Sequence, residues 1–422
     1  MFSYIIPTRN RTDELLITLR QIGRLHSAAD APLAQVVIAD NASEEPVTHA
    51  VAEEALGEAG DRVCVRVIHL DENYGAAARN IAADAADSRC RWLVMLDDDS
   101  APISLDFAEA INTVAEDVAA VAAEIFLPSP AGTVRRENGG LPEVFVGCGV
   151  ALRRDVFTKL GGYDEDFGYY VEEYDLAAKI IAAGYRTVLD RRFIVLHRKV
   201  AGNRDMNMIL ERLVRNNILV ALRHAPAGEI LGAIAEPVGR YARIAVKEKS
   251  LGGYIRGIWL AVWAAIRQER TPLNAAGWAR LTGMAAARLA VLQLVADGHC
   301  TVKLIAEGKN SRIVREAMAE KSLSDAGPDA GRDVACLVAT LSPGPMWDAA
   351  DIERAARAGD ATAGRVYVPF EPPVEHATAT APKLTVWGES EWNQPRVETE
   401  AVVRATEATE PPAAALPIRR SA

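Results

Sequence analysis

Apolar and polar positions along the first 200 residues alternate between two periods. Short apolar runs stand at FSYIIP (2–7), AQVVIAD (34–40), VCVRVIHL (63–70) and RWLVMLD (91–97). Runs of this length between polar stretches read as buried strands. Between them apolar residues recur at helical spacing. Leu15, Leu16, Leu19, Ile22 and Leu25 mark a helix over 12–27, and helical stretches follow at 46–59 and 75–87. Strand alternating with helix predicts a mostly parallel sheet covered on both faces.

Past Asp99 the spacing predicts a helix over 104–116. The run VAAVAAEIFLP (118–128) is ambiguous between strand and helix, because alanine is a poor strand former. Residues 129–143 read as a loop or hairpin, 143–157 as a strand entering a helix, 161–185 as a loop and then a helix ending at Gly184, and 186–198 as strands. From 205 to 321 the chain reads as helical, with loops near 250–254 and 271–275. Beyond 322 the composition shifts to Ala, Pro, Glu, Thr and Gly, leaving two apolar islands, VACLVATL (334–341) and RVYVPF (365–370). Three segments result: an α/β domain over 1–204, a helical extension over 205–321, and a low-complexity, largely disordered tail over 322–422.

Composition narrows the function classes. Of 422 residues half are hydrophobic, and the net charge is −10, which argues against a nucleic-acid partner. Five widely spaced cysteines without a C-x-x-C pair fit reduced thiols in the cytoplasm. The start MFSYIIPTRNR has no basic leader before a long apolar run, so no signal peptide is expected. No stretch reaches the roughly 18–20 apolar residues of a membrane-spanning helix. Residues 237–289 carry nine Arg/Lys against two Glu, interleaved with Tyr241, Tyr254, Trp259, Trp263 and Trp278. Such a segment fits an anionic membrane surface, which would place the protein in the cytoplasm and peripherally at the inner face of the membrane. It equally fits helices packed on the α/β domain with solvated outer faces.

The chemistry-bearing residues stand at predicted strand ends. In an open parallel sheet, ligands sit beyond the carboxyl ends of the strands. Asp97, Asp98 and Asp99 follow one such end. In an extended chain Asp97 and Asp99 would share a face and offer a hard oxygen site for Mg2+ or Mn2+, with Asp98 pointing away. An acidic turn before a helix is the plainer alternative. Asp40 and Asn41 end a second strand, as a nucleotide contact or an Asx turn. Asn73, Gly75, Arg79 and Asn80 stand where a third loop turns into a helix, facing a phosphate or forming a glycine turn.

Taken in order, these stretches resemble the family 2 glycosyltransferases with the A-type nucleotide-sugar fold, including rhamnosyl- and galactosyltransferases. YIIPTRNR resembles the opening strand and helix, VVIADNAS the nucleotide-binding strand end, and ENYGAAARN the N-x-G segment. MLDDDSAP is similar to the metal-binding D-x-D step, GCGVALRRDVFTKLGGYDEDF to the acceptor-side segment, and YYVEEYDLAAKIIAAGY to the helix of the catalytic acidic pair. The resemblance covers roughly residues 3–200. It implies that 1–204 is a nucleotide-sugar-binding catalytic domain, moving a sugar from a nucleoside-diphosphate donor to a saccharide or lipid-linked acceptor with inversion. The pathway implied is polysaccharide or glycolipid assembly.

The resemblance also implies roles. Asp97, Asp99 and His197 would hold Mn2+ or Mg2+. Glu173 would be the general base, with Glu172 beside it and Asp175 orienting the site. The family usually has aspartate at the second position of the pair, so Glu173 is longer by one methylene. Pro7, Thr8, Arg9, Asp40, Asn73, Gly75, Arg79 and Asp98 would meet the nucleotide and diphosphate. Tyr163 and Asp164, with Glu165, would lie on the acceptor-side loop. The Glu173 departure leaves one alternative, an inactive nucleotide-sugar-binding or scaffold module on the same fold. Rhamnose, galactose, glucose and mannose donors stay open.

Overall fold

The computed structural model describes residues 1–128, 134–137, 139–199 and 205–370. Its first half repeats a strand–helix unit: β1 (Phe2–Thr8), α1 (Thr12–Leu25), β2 (Ala34–Asp40), α2 (His49–Leu56), β3 (Val63–His69), α3 (Ala78–Asp84) and β4 (Trp92–Met95). Next come β5 (Ser100–Pro102), α4 (Asp106–Thr113), β6 (Val118–Pro128), β7 (Val134–Glu137), β8 (Val150–Arg153), α5 (Arg154–Lys159), α6 (Glu172–Ala182) and β9 (Arg186–His197). The strand order is β3-β2-β1-β4-β8-β6-β9-β5, and β7 pairs with β6.

The sheet is mixed. β3, β2, β1 and β4 run parallel, as the alternation predicts. β8 reverses the direction between β4 and β6, and β9 is again parallel to β6. Every residue of β2 is buried, the pattern of a parallel strand covered on both faces, while the edge strand β3 is half exposed. The alanine-rich run at 118–128 is a strand: β6 lies between β8 and β9, buried along ten of its eleven residues. Position in the sheet overrides alanine's weak strand preference. The reading of 129–143 as a hairpin holds where β7 folds back on β6, although 129–133 and 138 lie outside the described residues.

The helical extension begins as expected with α7 (Met206–His224), α8 (Ile230–Lys247) and α9 (Leu251–Arg267), followed by α10 (Ala275–Leu281) and α11 (Met284–Ala296). It does not stay helical to 321. Residues Thr301–Ile305 form a strand, β10, before α12 (Ser311–Glu320). β10 opens a second sheet with β11 (Ser324–Asp325), β12 (Cys336–Val338) and β13 (Val366–Tyr367), separated by α13 (Pro343–Arg357). Its order is β11-β10-β12-β13, parallel throughout. The expectation of a largely disordered tail from 322 is therefore corrected over 322–370, while 371–422 lie outside the described residues. Each apolar island is too short to bury itself. Together they pair as β12 and β13 and borrow β10 from the preceding segment. Buried Arg357 ties this sheet, its Nη1 donating to the carbonyls of Arg332, Val334 and Gly364 at 2.8, 2.9 and 2.7 Å.

This second unit packs on the first. Trp347 on α13 is buried in the main core, stacked 5.4 Å from the Arg191 guanidinium. Its Nε1 donates to the carbonyl of Phe370 at 3.1 Å. Asp348 pairs with Arg136 on β7 and, at 3.0 Å, with Arg191 on β9. Trp347→Ala is expected to cost about 3–5 kcal/mol, as for a buried aromatic truncated in a core. Urea unfolding checks this; a loss below about 1 kcal/mol would mean that α13 is not part of the core.

Candidate functional site

The carboxyl ends of β1, β2 and β4 meet at one edge of the sheet, where β1 delivers Thr8, β2 delivers Asp40, and the chain leaves β4 into Asp97–Asp99. The three aspartates do not continue the strand. The Ser100 N–H donates to the Asp97 carbonyl at 3.1 Å, closing a turn. The expected alternation, with Asp97 and Asp99 together and Asp98 away, is lost in that turn. Asp97 goes to Arg79. Asp98 and Asp99 share Arg11, whose two terminal nitrogens reach them at 3.1 and 2.5 Å. The Thr8 hydroxyl also donates to Asp98 at 2.9 Å. Burial pushes the Asp98 carboxyl up to about 7 against the pull of Arg11. Asp99, although buried, is held well below the usual carboxylate range by its bonds to His197 and Arg11.

His197 ends β9 beside these groups. Its Nε2 lies 3.3 Å from Asp99 Oδ1, and its Nδ1 lies 2.8 Å from Glu137 Oε2 and 3.5 Å from Cys148 Sγ. Burial alone would favour the neutral ring, but the bonds to Asp99, Cys148 and Glu137 push its pKa up to about 12. Donor atoms of Asp97, Cys148 and His197 all lie within 4.8 Å of one another. A carboxylate oxygen, a sulfur and an imidazole nitrogen that close can share one divalent cation. Asp99 meets this group through His197. Glu137 also takes Lys199 Nζ at 2.7 Å, and these two partners hold its carboxyl down to about 2 in spite of burial.

The acidic pair lies across Gly147. Its N–H donates to Glu173 Oε1 at 3.2 Å, and a Cβ there would also lie 3.9 Å from Arg79 Nη2. Arg79, Asp97 and Glu173 thus surround one point. Burial raises both Glu172 and Glu173, the former also through its charged neighbour, while Arg79 opposes the rise. The turn that launches α6 is strained, with Tyr170 at φ 70° and Val171 at φ 72°. A β-branched residue at positive φ persists only where its surroundings hold it. Asn216 on α7 does so: its buried Nδ2 donates to the carbonyls of Phe167, Tyr169 and Tyr170 at 2.9, 3.1 and 2.7 Å.

The family model of glycosyl transferase family 2 matches residues 3–161. This part of the chain is a family 2 glycosyltransferase domain. The chain is similar to the mannosyltransferase PcManGT of Pyrobaculum calidifontis, solved with GDP-Man and Mn2+, at 18% identity and a TM-score of 0.43 over 62% of this chain and 87% of that one. It is also similar to S. aureus TarS 1-349 with UDP-GlcNAc, at 14% identity and a TM-score of 0.46 over 76% of this chain and 91% of that one. A comparison with curated proteins finds no match.

Other sequence-predicted residues of the glycosyltransferase domain are placed as follows. Asp40 is buried and accepts the N–H groups of Ser43 and Val47 at 2.9 and 2.8 Å, forming the Asx turn that fixes the loop after β2. Asn73 accepts the Gly75 N–H at 3.0 Å. Gly75, at φ 61°, lies under the loop that contains Gly168, where a Cβ would come within 2.6 Å of the Gly168 carbonyl. Pro7 is half-buried and Arg9 exposed. Tyr163 is buried against Arg79 at 5.9 Å, and Asp164 pairs with Arg223 at 2.5 Å. Asp175 is not joined to the Asp97 group. Fully buried, it accepts from Lys179, Arg223 and His224 at 2.7, 2.8 and 2.8 Å, and so binds α6 to α7.

Arg11, Glu137, Cys148 and Asn216 enter the site without having been assigned from sequence. Arg11 stands two residues past Arg9 in PTRNR, and Cys148 lies between two glycines in GCG, so both sat inside matched segments. Glu137 and Asn216 carried no sequence signal.

The partners of Asp175 hold its carboxyl below the ordinary 3.8 although burial opposes this. A depressed carboxyl stabilises the fold fully above about 4, and that stabilisation is lost as pH falls through the folded pKa. Asp175→Asn is therefore expected to cost about 3 kcal/mol at neutral pH, leaving the part-buried Lys179 and Arg223 short of a partner. The difference from wild type should shrink as pH drops below about 4. Urea titrations over that range check it; a pH-independent difference would mean that lost packing, not charge, is responsible.

Proposed function

We propose that this glycosyltransferase is metal-dependent and inverting, and that it transfers a sugar from a nucleoside diphosphate to an acceptor hydroxyl on a saccharide or lipid-linked chain in polysaccharide or glycolipid assembly. One observation carries the reading: a basic carboxylate and a cation-binding corner meet in the space that a single glycine leaves open. Glu173 and Arg79, the partner of Asp97, both border the position a Cβ on Gly147 would take, at 3.2 and 3.9 Å.

Asp97, Cys148 and His197 would hold the ion; the ring nitrogen given to it would release its carboxylate, Glu137 or Asp99, and the other carboxylate would orient the imidazole through the second nitrogen. Nitrogen and sulfur donors beside a carboxylate suit Mn2+ better than Mg2+, which prefers oxygen and dehydrates reluctantly. A bound ion supplies Lewis-acid neutralisation of the departing diphosphate. Glu173 takes the acceptor hydroxyl proton. Its raised pKa makes it a stronger base than an ordinary carboxylate, closer to the operating pH. Arg79 keeps Asp97 oriented and lowers the cost of two adjacent carboxylates at Glu172 and Glu173. With no covalent step at the sugar, a single displacement inverts the anomeric centre.

Glu173→Gln is expected to lower kcat for transfer or donor hydrolysis by about 10^2 to 10^4, the range for a lost general base. Donor affinity in the presence of Mn2+ should stay within about threefold. A panel of UDP-, GDP- and dTDP-sugars supplies the donor. An unchanged kcat would remove Glu173 as base, and a wild type that binds donor with Mn2+ but never turns it over would be the inactive module. A second expectation concerns the ion. Saturating Mn2+ should raise the melting temperature of the wild type, by about 2.7 kcal/mol of stability at a hundredfold excess over Kd. Asp97→Asn and His197→Ala should abolish that rise; a rise that survives both would place the ion elsewhere.

A further inference from the structure

Helix α9 carries its bulk on the wrong side for a helix of a water-exposed bundle. Gly253, Gly257 and Ala261, one helical turn apart, are its buried residues and face α7. The two backbones approach so closely that a Cβ on Gly257 would lie 2.5 Å from the Glu211 carbonyl. Small residues inward force the large ones outward. Leu251, Ile255, Trp259, Val262, Trp263 and Ile266 are 48–75% exposed. At 100° per residue they fall on one continuous face, with Arg256 and Arg267 along one of its edges. Trp259 and Trp263 touch edge to face at 5.9 Å within it. An exposed apolar patch of this extent marks an interaction surface.

Charge says what covers it. The chain as a whole is acidic at −10, yet residues 230–270 hold seven Arg/Lys against three Glu. The exposed cations Arg243, Lys247 and Lys249 on or just after α8 add to those of α9. Apolar bulk, paired tryptophans and a cationic edge together match an anionic lipid surface, where indole rings settle at the headgroup level and arginines meet phosphates. Among the described residues no single helix is long and apolar enough to cross a membrane. We infer that the outward face of α9 lies in the interface of an anionic bilayer. This inference does not rest on the reaction proposed above.

The test uses the full chain and two kinds of vesicle, phosphatidylglycerol-rich and pure phosphatidylcholine. Wild type should co-sediment with the first at least about tenfold more strongly than with the second, and less so as salt rises. Brominated lipids should quench its tryptophan emission. Trp259→Ser/Trp263→Ser should lose at least about tenfold in vesicle affinity. Both positions are exposed, so its melting temperature and soluble-donor turnover should match wild type. Arg256→Gln/Arg267→Gln should bind more weakly and with a shallower salt dependence. The inference falls if wild type ignores anionic vesicles, or if the double tryptophan variant binds them equally well. It also falls if wild type instead self-associates and the tryptophan variant does not, since a second copy would then cover this face.

Discussion

The site depends on keeping like charges together. Asp97, Asp98, Asp99, Glu137, Glu172 and Glu173 gather at the carboxyl edge of one sheet. Two carboxylates about 4 Å apart repel by about 4 kcal/mol at the effective dielectric of a protein surface. Arg11, Arg79, His197 and Lys199 offset part of this, leaving more carboxylates than cations. Burial, with Asp99 and Asp97 adding to it, raises Asp98 to about 7 against the pull of Arg11. The residual imbalance leaves a surplus of negative charge there, and burial raises Glu172 and Glu173 within it. The two guanidiniums come from different segments, Arg11 from the turn after β1 and Arg79 from α3, so the cluster forms only when the parallel half of the sheet has closed.

The helices after the sheet belong to the site's architecture. α6 starts from two residues held at positive φ, a conformation that costs about 1–3 kcal/mol each. Asn216 offsets that cost with three donated bonds to the same turn. Phe167 and Val171 of the turn pack with Leu219 and Val220 of α7 in one apolar cluster. Asp175, one turn into α6, is fixed to the far end of α7 through Arg223 and His224. α7 thus grips α6 at both its start and its first turn. α9 packs on α7 through Gly253 and Gly257, which leaves its large side chains facing outward.

The parallel half of the fold was legible because β1, β2 and β3 are self-contained apolar runs each followed by a helix, and β4 is a fourth such run. The residues at their ends could be named for the same reason. What stayed hidden depended on long-range pairing. β6 was ambiguous because alanine strands are chosen by their neighbours, and β12 and β13 looked like islands in a tail because each is two or three residues of sheet. The alternation argument failed at Asp97–Asp99 because Ser100 closes a turn that composition does not announce. Asp175 was expected to orient the site because it matches an acidic position in the motif of the resembled family. At i+2 from Glu173 on a helix it points to another side, toward α7. Cys148 joins Asp97 and His197 through a turn of the GCG stretch, which reads only as a glycine-rich break.

The hairpin strand β7 is where the second α/β unit reaches the site. Adjacent residues of a strand project to opposite faces. Arg136 uses one face, pairing with Asp348 on α13 and approaching the buried Glu124 at 3.6 Å. Glu137 uses the other, bonding His197 Nδ1 and Lys199. Arg191 on β9 repeats the link, touching Asp348, Asp351 and the Trp347 ring. The tautomer and orientation of an imidazole are set by the partner of its second nitrogen. For His197 that partner is carried by a strand anchored from behind by residues near 350. The segment from β10 to β13 is therefore a clamp on the hairpin, and through Glu137 it helps decide which way His197 presents its other nitrogen to Asp99.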